Sequence, residues 1–386
     1  MNFFLRFQFK NPGKFFTFFS LFSCLSFASL PLYAEKHPMY SFLETDHQPL
    51  DTDRLYPAAS GGDPFVMYLL SRYSTEGNYI IHKLKTMENL SFMKNGKIPD
   101  YWFSRGKTKE GSLRSLQVIG HEGNHVITSH TAVYDKDTKK FDTSIEPRSN
   151  VHWMAYYMGE RKRIFVKKTK TFPSREIRKK LPSFITKNSD SKKVVGTGKN
   201  YYEIYIYPSN INPSTQSSGI YGLVDEFNSY YHGKRVVLDM YRYCLKEKPF
   251  PAAEKVWGVF LQENHSNYLA YFEFKLYILT YFLYAKDNHP GIYKALIQNK
   301  PLIAAFLMAD QNHKNLIKEF ADLEKRVKED VASMGIKVEE KGDDMLSLGG
   351  EYVVHDFHAI KNYNQVLESP PYKKMEQFLQ EDLWKD

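Results

Sequence analysis

The stretch that decides the fold is Val118-Ile119-Gly120-His121-Glu122-Gly123-Asn124-His125-Val126-Ile127, which contains the pattern His-Glu-x-x-His. Residues four apart lie on one face of an α-helix, so His121 and His125 could direct both imidazoles at one metal ion. Glu122 would then lie beside a metal-bound water, where a carboxylate can act as a general base. A helix through this stretch therefore predicts a zinc site, and such a site requires a third protein ligand.

Local propensity favours a different structure for the same residues. Gly123 and Asn124 are poor helix formers, and residues 126–128 are β-branched. In this interpretation residues 116–119 form a strand, residues 122–124 a turn, and residues 125–134 the returning strand. The metal-binding pattern favours the helix, because functional sites are where local rules are expected to be broken. On the sequence alone both structures stay open.

A second stretch, residues 219–233, supplies a candidate third ligand. Its apolar residues recur at helical spacing, and Gly233 is typical of a helix C-terminus. Glu226 lies beside this apolar stripe, where a buried charge costs free energy unless it has a partner. Zinc or an arginine would be such a partner. Glu273, inside the strongly apolar segment 256–285, has the same requirement and ranks second behind Glu226.

Together the two stretches resemble the gluzincin metallopeptidases, the thermolysin-like class. In that class His-Glu-x-x-His on one helix is completed by a Glu on a later helix, often followed three positions on by a small residue. Residues 118–127 look like the active-site helix of the class, and Glu226 with Ser229 is similar to its second-helix pattern. The resemblance implies that His121, His125 and Glu226 are the zinc ligands. It also implies that Glu122 is the catalytic base that activates water.

Residues around Glu226 are candidates for supporting roles. Asp225 could orient a histidine ligand through its second ring nitrogen. Tyr230, Tyr231 and His232 are candidates to stabilise a tetrahedral oxyanion, although residues of these types serve more often in packing. The sequence does not decide among the three.

The N-terminal residues 1–34 are typical of an export signal. Arg6, Lys10 and Lys14 precede an apolar run over residues 15–30, and Ala34 could end the signal at a cleavage site. We therefore expect an exported protein, which would be periplasmic, associated with an outer membrane, or extracellular. Residues 21–24 also resemble a loose bacterial lipobox, which would attach a lipid anchor at Cys24. Membrane association is expected through that anchor only.

Composition sets the remaining limits. The chain has 386 residues, of which 42% are hydrophobic and 25% are charged, values typical of a folded globular protein. After removal of the signal, Cys244 is the remaining thiol, which excludes an internal disulfide and a cysteine-based metal site. The sequence contains no Gly-rich nucleotide-binding loop and no Gly-x-Ser-x-Gly motif.

The most basic part of the chain is residues 160–193, and the formal net charge of the whole chain is +9. An acidic or phosphate-rich partner could bind there, although a solvated charged surface is the commoner meaning of such a run. A nucleic-acid partner is not expected. The expected partner of a metallopeptidase would be a peptide or protein substrate.

These observations predict an α+β fold, with a mixed N-terminal part and a mostly α-helical C-terminal part in a zincin-like arrangement. The predicted boundaries are a signal over residues 1–34, a mixed α/β region over 35–215 and a mostly helical region over 216–386. Within the mixed region, the alternating residues 201–207 predict a strand. The predicted function is zinc-dependent hydrolysis of peptide bonds. The alternative is a non-catalytic exported or lipid-anchored binding protein with a basic interaction face.

Overall fold

The computed structural model describes residues 37–47, 50, 53, 55–56, 62–85, 102, 108–131, 133–135, 140–142, 152–186, 200–209, 213–246, 253–342, 345–354 and 357–384. The helices of these ranges are α1 (Gly62–Tyr73), α2 (Thr75–Lys85), α3 (Lys109–His130), α4 (Ser183–Thr186), α5 (Ser214–Ser217), α6 (Ile220–Leu238), α7 (Tyr241–Lys246), α8 (Ala253–Asn288), α9 (Pro290–Gln298), α10 (Lys300–Ser333), α11 (Phe357–Leu367) and α12 (Pro370–Asp382). The predicted signal, its cleavage site and Cys24 lie outside the described residues.

The strands form small antiparallel sheets. They are β1 (Glu44–Thr45), β2 (Val133–Asp135), β3 (Lys140–Asp142), β4 (Trp153–Gly159), β5 (Lys162–Lys167), β6 (Val338–Glu340), β7 (Met345–Leu348) and β8 (Glu351–Val354). Two sheets have three strands, in the orders β1-β5-β4 and β6-β7-β8, and β2 pairs with β3. Helices dominate the described residues, which confirms a helix-rich α+β class.

The His-Glu-x-x-His stretch is helical, as the metal-binding pattern favoured, and the alternative hairpin interpretation is wrong. Helix α3 begins after Thr108, whose Oγ1 accepts a hydrogen bond from the Gly111 amide at 3.1 Å. Its apolar side chains at Leu116, Ile119 and Ile127 are fully buried. The free energy of burying this face outweighs the modest helix-propensity cost of the glycines and β-branched residues.

Three glycines let helices approach α3 more closely than other residues would. A Cβ on Gly120 would lie 2.9 Å from the Cα of Gly233, and one on Gly233 would lie 2.8 Å from the Gln117 carbonyl oxygen. A Cβ on Gly123 would lie 2.5 Å from the Ile80 side chain of α2. Gly123, the poorest helix former of the motif, is therefore explained by packing.

Gly233 does not end its helix, contrary to the sequence prediction. Helix α6 continues to Leu238, and Gly233 lies in its interior, facing α3. The close contact with another helix requires a small residue there. A glycine selected for contact has the same appearance in the sequence as a glycine that caps a helix.

The predicted strand over residues 201–207 is also wrong, because Tyr202–Ile206 form a turn of π-helix. Asn200 and Glu203 start this turn with a reciprocal pair of hydrogen bonds. The Asn200 Oδ1 accepts from the Glu203 amide at 2.8 Å, and the Glu203 carboxylate accepts from the Asn200 amide at 2.9 Å. This is the hydrogen-bond pattern of a capping box, and it outweighs the alternating tyrosines.

Among the described residues the buried side chains form two hydrophobic cores, and the long helices α6, α8 and α10 contribute to both. The first core contains Leu223, Phe274 and Phe306, and the second contains Val237, Phe260 and Phe320. Helix α8 ends at Asn288, and Pro290 starts the next helix. None of the helices in the described ranges is long and apolar enough to span a membrane.

We expect Gly120→Ala to destabilise the protein by about 1–3 kcal/mol, the usual cost of overpacking, because the added methyl group would meet backbone atoms of α6. Gly291→Ala is the matched control, since a Cβ at this helical glycine of α9 has no atom within 4 Å. Urea unfolding of both variants measures the difference. Equal midpoints for the two variants would contradict the close helix contact.

Candidate metal centre

The two histidines of α3 and Glu226 of α6 meet at one point. The Nε2 atoms of His121 and His125 lie 3.1 Å apart. The Oε2 atom of Glu226 lies 3.5 Å from the His121 Nε2 and 3.2 Å from the His125 Nε2. Among the described residues these three side chains form a group that could hold a metal ion. Three ligand atoms at nearly equal separations define one face of a coordination polyhedron.

The size of this triangle fits zinc. Zinc–nitrogen and zinc–oxygen distances of about 2.0–2.2 Å at tetrahedral angles place neighbouring ligand atoms roughly 3.3–3.5 Å apart. The observed separations of 3.1, 3.2 and 3.5 Å lie close to that value. The Glu226 Oε2 is buried and makes no standard hydrogen bond to the described residues. Two imidazoles and one carboxylate are also a ligand set that zinc accepts in hydrolytic sites.

Hydrogen bonds hold the His125 ring through Nδ1, the nitrogen that does not face the ligand triangle. Its Nδ1 lies 2.7 Å from the Asp225 Oδ2 and 3.1 Å from the Ser229 Oγ. The Asn124 amide nitrogen donates to the same Ser229 oxygen at 2.7 Å. With Nδ1–H donating to Asp225, the Nε2 lone pair is directed toward the ligand triangle, the arrangement usual for metal-bound histidines.

The contact between Asp225 and the His125 Nδ1 gives a geometric basis to the role predicted for Asp225, which is to orient a histidine ligand. Asn124, by contrast, was not a candidate from the sequence, since an amide inside the motif gives no signal of its distant partner.

Packing orients the His121 ring. Its centroid lies 4.4 Å from that of Tyr230, with the two rings at 64°. The His121 Nδ1 is buried and makes no hydrogen bond to the described residues. The ring position therefore depends on the aromatic contact and on the backbone of α3.

Burial and charge together determine protonation at this site. Asp225 and Glu226 are 2% and 6% exposed. Burial alone would lower the pKa of His125, but the adjacent carboxylates of Asp225 and Glu226 outweigh it and hold that pKa well above its usual 6.5. Burial would raise the pKa of Glu226, yet the His125 and His121 rings lower it to about 2. In the metal-free site Glu226 is therefore a carboxylate and His125 an imidazolium, and a metal ion would replace the imidazolium proton.

Solvent and three tyrosines border the triad. The His125 side chain is 20% exposed and Glu122 is half-buried, so the site is reachable from solvent. The hydroxyls of Tyr205 and Tyr230 lie 3.0 Å apart, and the Tyr201 ring packs on Tyr230. Burial raises the pKa of Tyr205, and the charge of Glu226 adds to that rise.

Other predicted residues lie elsewhere. Glu273, the rival ligand, is fully buried and its Oε1 accepts a hydrogen bond from the Tyr277 hydroxyl on its own helix. It does not belong to the three-residue group. His232 has its Nε2 2.7 Å from the Tyr157 carbonyl oxygen and its Nδ1 2.5 Å from the Glu76 Oε1. Tyr231 lines a cavity to which His121, His125 and Glu226 do not contribute.

The described cations of the basic segment 160–193 have several partners within the chain. Arg163 is 9% exposed and pairs with Asp46 at 3.0 Å. Lys162 pairs with Glu160 at 2.9 Å, and Lys180 pairs with Asp287 at 2.6 Å. Residues 187–193 lie outside the described ranges. An acidic partner for this segment stays a prediction.

The fold and the site together define a helix-rich α+β protein with a candidate two-histidine, one-carboxylate metal centre. Comparisons with known proteins add no assignment, since no family model, curated protein or solved structure matches the chain. Inference about function therefore depends on the site itself.

We expect the pKa values of His125 and His130, two histidines of the same helix, to be shifted in opposite directions in the metal-free protein. Carboxylates raise the pKa of His125 despite its burial, whereas burial lowers the pKa of His130. Selectively labelled imidazoles followed by NMR should show His125 protonated and His130 neutral at pH 7. Because the folded pKa of His125 is raised, its stabilisation is complete below pH 6.5 and is lost as pH rises through the folded pKa. A neutral His125 at pH 7 would contradict this electrostatic picture.

Proposed function

We propose that the protein is a zinc-dependent hydrolase that cleaves peptide bonds. The observation that carries the proposal is the near-equilateral triangle of the His121 Nε2, His125 Nε2 and Glu226 Oε2 atoms. Glu122 follows His121 directly in the same helix. Three protein ligands with solvent access are typical of catalytic zinc sites, whereas structural sites have four. The preference for peptide bonds rests on the resemblance of residues 118–127 and of Glu226 with Ser229 to the gluzincins.

The roles of the chain's own residues follow from their positions. His121, His125 and Glu226 would bind the zinc, which supplies Lewis acidity by polarising a carbonyl group and making water nucleophilic near neutral pH. Glu122 accepts the proton of the attacking water and returns it to the leaving amine. Asp225 keeps the proton on the His125 Nδ1, so that Nε2 stays available as a ligand.

Two further parts of the proposal come from the sequence. Residues 1–34 support export, with a lipid anchor at Cys24 as a variant of it. Segment 160–193 supports an acidic partner in addition to the peptide substrate.

Zinc analysis tests the ligand set. We expect about one zinc per chain in the wild type, as for a single three-ligand site, and strong loss of zinc in His125→Ala and Glu226→Ala. His130→Ala is the matched control, because His130 lies on the same helix outside the triad and should leave zinc content unchanged. Elemental analysis after reconstitution and dialysis measures the zinc content of each variant, and circular dichroism verifies folding. A wild type without zinc would reject the hydrolase and favour the non-catalytic binding protein.

Glu122→Gln tests the catalytic base separately from the metal. We expect zinc content to stay at the wild-type level and cleavage of a fluorogenic peptide library to fall by about 10²–10⁴-fold, the usual contribution of a general base. Glu110→Gln, in the first turn of the same helix, should keep full activity. Equal cleavage by Glu122→Gln and the wild type would assign the activity to another group.

A further inference from the structure

The charge of residues 167–180, which follow strand β5, is strongly unbalanced. This stretch holds seven Lys and Arg residues and one acidic residue, Glu176. The Glu176 carboxylate lies 3.0 Å from the His289 Nε2, so it already has a partner outside the stretch. Lys180 is paired with Asp287, as described above. The remaining cations leave this part of the molecule strongly positive.

Four of these cations are exposed and pair with no carboxylate of the described residues. We call them the basic surface, and they are Lys170, Arg175, Arg178 and Lys179. The Arg178 guanidinium carbon lies 4.7 Å from the centroid of the Tyr207 ring, and Tyr207 is 51% exposed. A guanidinium stacked on a ring keeps the N–H groups at its edge available to a carboxylate. The basic surface can therefore accept an anionic partner from solvent.

Hydrogen bonds fix the backbone that carries the basic surface. The Phe172 amide donates to the Tyr281 hydroxyl at 2.9 Å, and the two rings stack with their centroids 4.0 Å apart. The Arg175 amide donates to the Gln216 Oε1 at 3.2 Å. The four cations thus extend from backbone that is already ordered, so an anionic partner would not have to order this chain segment on binding.

The same segment is attached to helix α6 beside the metal centre. The Thr169 amide donates to the Tyr221 hydroxyl at 2.8 Å. Tyr221 lies one turn of α6 before Asp225, which contacts the His125 ring at 2.7 Å. One helical turn rises about 5.4 Å and a tyrosine side chain is of similar length, so Thr169 lies within about 15 Å of Asp225.

A second connection to the metal centre runs through the π-helical turn Tyr202–Ile206. The Ser174 Oγ donates to the Tyr205 carbonyl oxygen at 2.8 Å. The Tyr205 hydroxyl lies 3.0 Å from that of Tyr230, whose ring contacts His121. The segment of the basic surface is therefore in contact with residues of the metal centre at two points.

We propose that the basic surface binds an acidic segment of the peptide substrate, roughly four to six residues from the bond cleaved at the metal centre, since an extended peptide rises about 3.3 Å per residue. Asp and Glu side chains of the substrate pair with the two guanidinium groups and the two ammonium groups. The proposal rests on the hydrolase function proposed above, and it names acidic peptides as the substrate class. Continuity with that centre favours a peptide over a nucleic acid or an anionic membrane.

Two fluorescein-labelled peptides test the charge requirement, one with a block of Glu residues at one end and one with Gln at the same positions. Fluorescence anisotropy measures their binding to the full-length Glu122→Gln protein, in which the expected base is absent. We expect the Glu peptide to bind about tenfold more tightly at low ionic strength, with the difference falling as salt is added. Equal affinities would overturn the proposal. So would tighter binding of single-stranded DNA or of phosphatidylglycerol vesicles than of the Glu peptide.

A triple variant locates the binding surface. Replacing Lys170, Arg175 and Lys179 by Gln should remove the preference for the Glu peptide. The matched control replaces three exposed cations of α10 by Gln, namely Lys318, Lys325 and Arg326, and should keep the preference. Both variants lose the same charge, so an equal loss of affinity in the two would show attraction by net charge alone and overturn the proposal.

Cleavage distinguishes a failure of this proposal from a failure of the hydrolase function. In a protein that keeps Glu122, the triple variant at the basic surface should raise KM for the Glu peptide about tenfold and leave kcat unchanged, because the surface lies away from the reacting atoms. Binding of the Glu peptide without cleavage of any peptide would overturn the hydrolase function and this substrate role together. Cleavage of both peptides with equal KM would overturn the substrate role alone.

Discussion

The close contact between α3 and α6 is the constraint on which the candidate metal centre depends. Gly120 and Gly233 face each other across this contact with no room for a Cβ on either side. Residue 121 follows the first glycine directly, and Glu226 lies two turns before the second. A wider separation of the helices would move the Glu226 Oε2 away from both imidazoles. The triad is thus a consequence of backbone packing as well as of its own side chains.

This contact also buries two adjacent carboxylates away from solvent. Asp225 and Glu226 are successive residues, and both are almost fully buried. Burying charges of one sign costs free energy unless opposite charge accompanies them. The raised pKa of His125 and the lowered pKa of Glu226 show how the metal-free protein meets that cost, with a proton on the imidazole. The same electrostatic field would favour a divalent cation in place of the proton.

The grouping of His121, His125 and Glu226 could be predicted from the sequence because both helices carry local patterns, a four-residue histidine spacing and a carboxylate beside an apolar stripe. The role of Gly233 could not be predicted from the sequence, because a glycine that ends a helix and a glycine that contacts another helix look the same there. The strand predicted for residues 201–207 is wrong for a related reason. Alternating tyrosines are typical of a strand, whereas the reciprocal hydrogen bonds of Asn200 and Glu203 start a helical turn. Long-range pairs such as Asn124 with Ser229 have no local signal at all.

Helix α6 is in contact with other segments on two opposite sides. One side presents Glu226 to the α3 histidines, and the opposite side presents Tyr231 and Arg235 to the cavity. His232 lies between them, with its backbone carbonyl near Gly120 and its ring near Glu76. Because contacts on both sides hold the helix, Glu226 is kept against the histidines by the α3 contact and by the contacts of His232 with Glu76 and Tyr157. Close packing of this kind leaves the helix little freedom to rotate or slide.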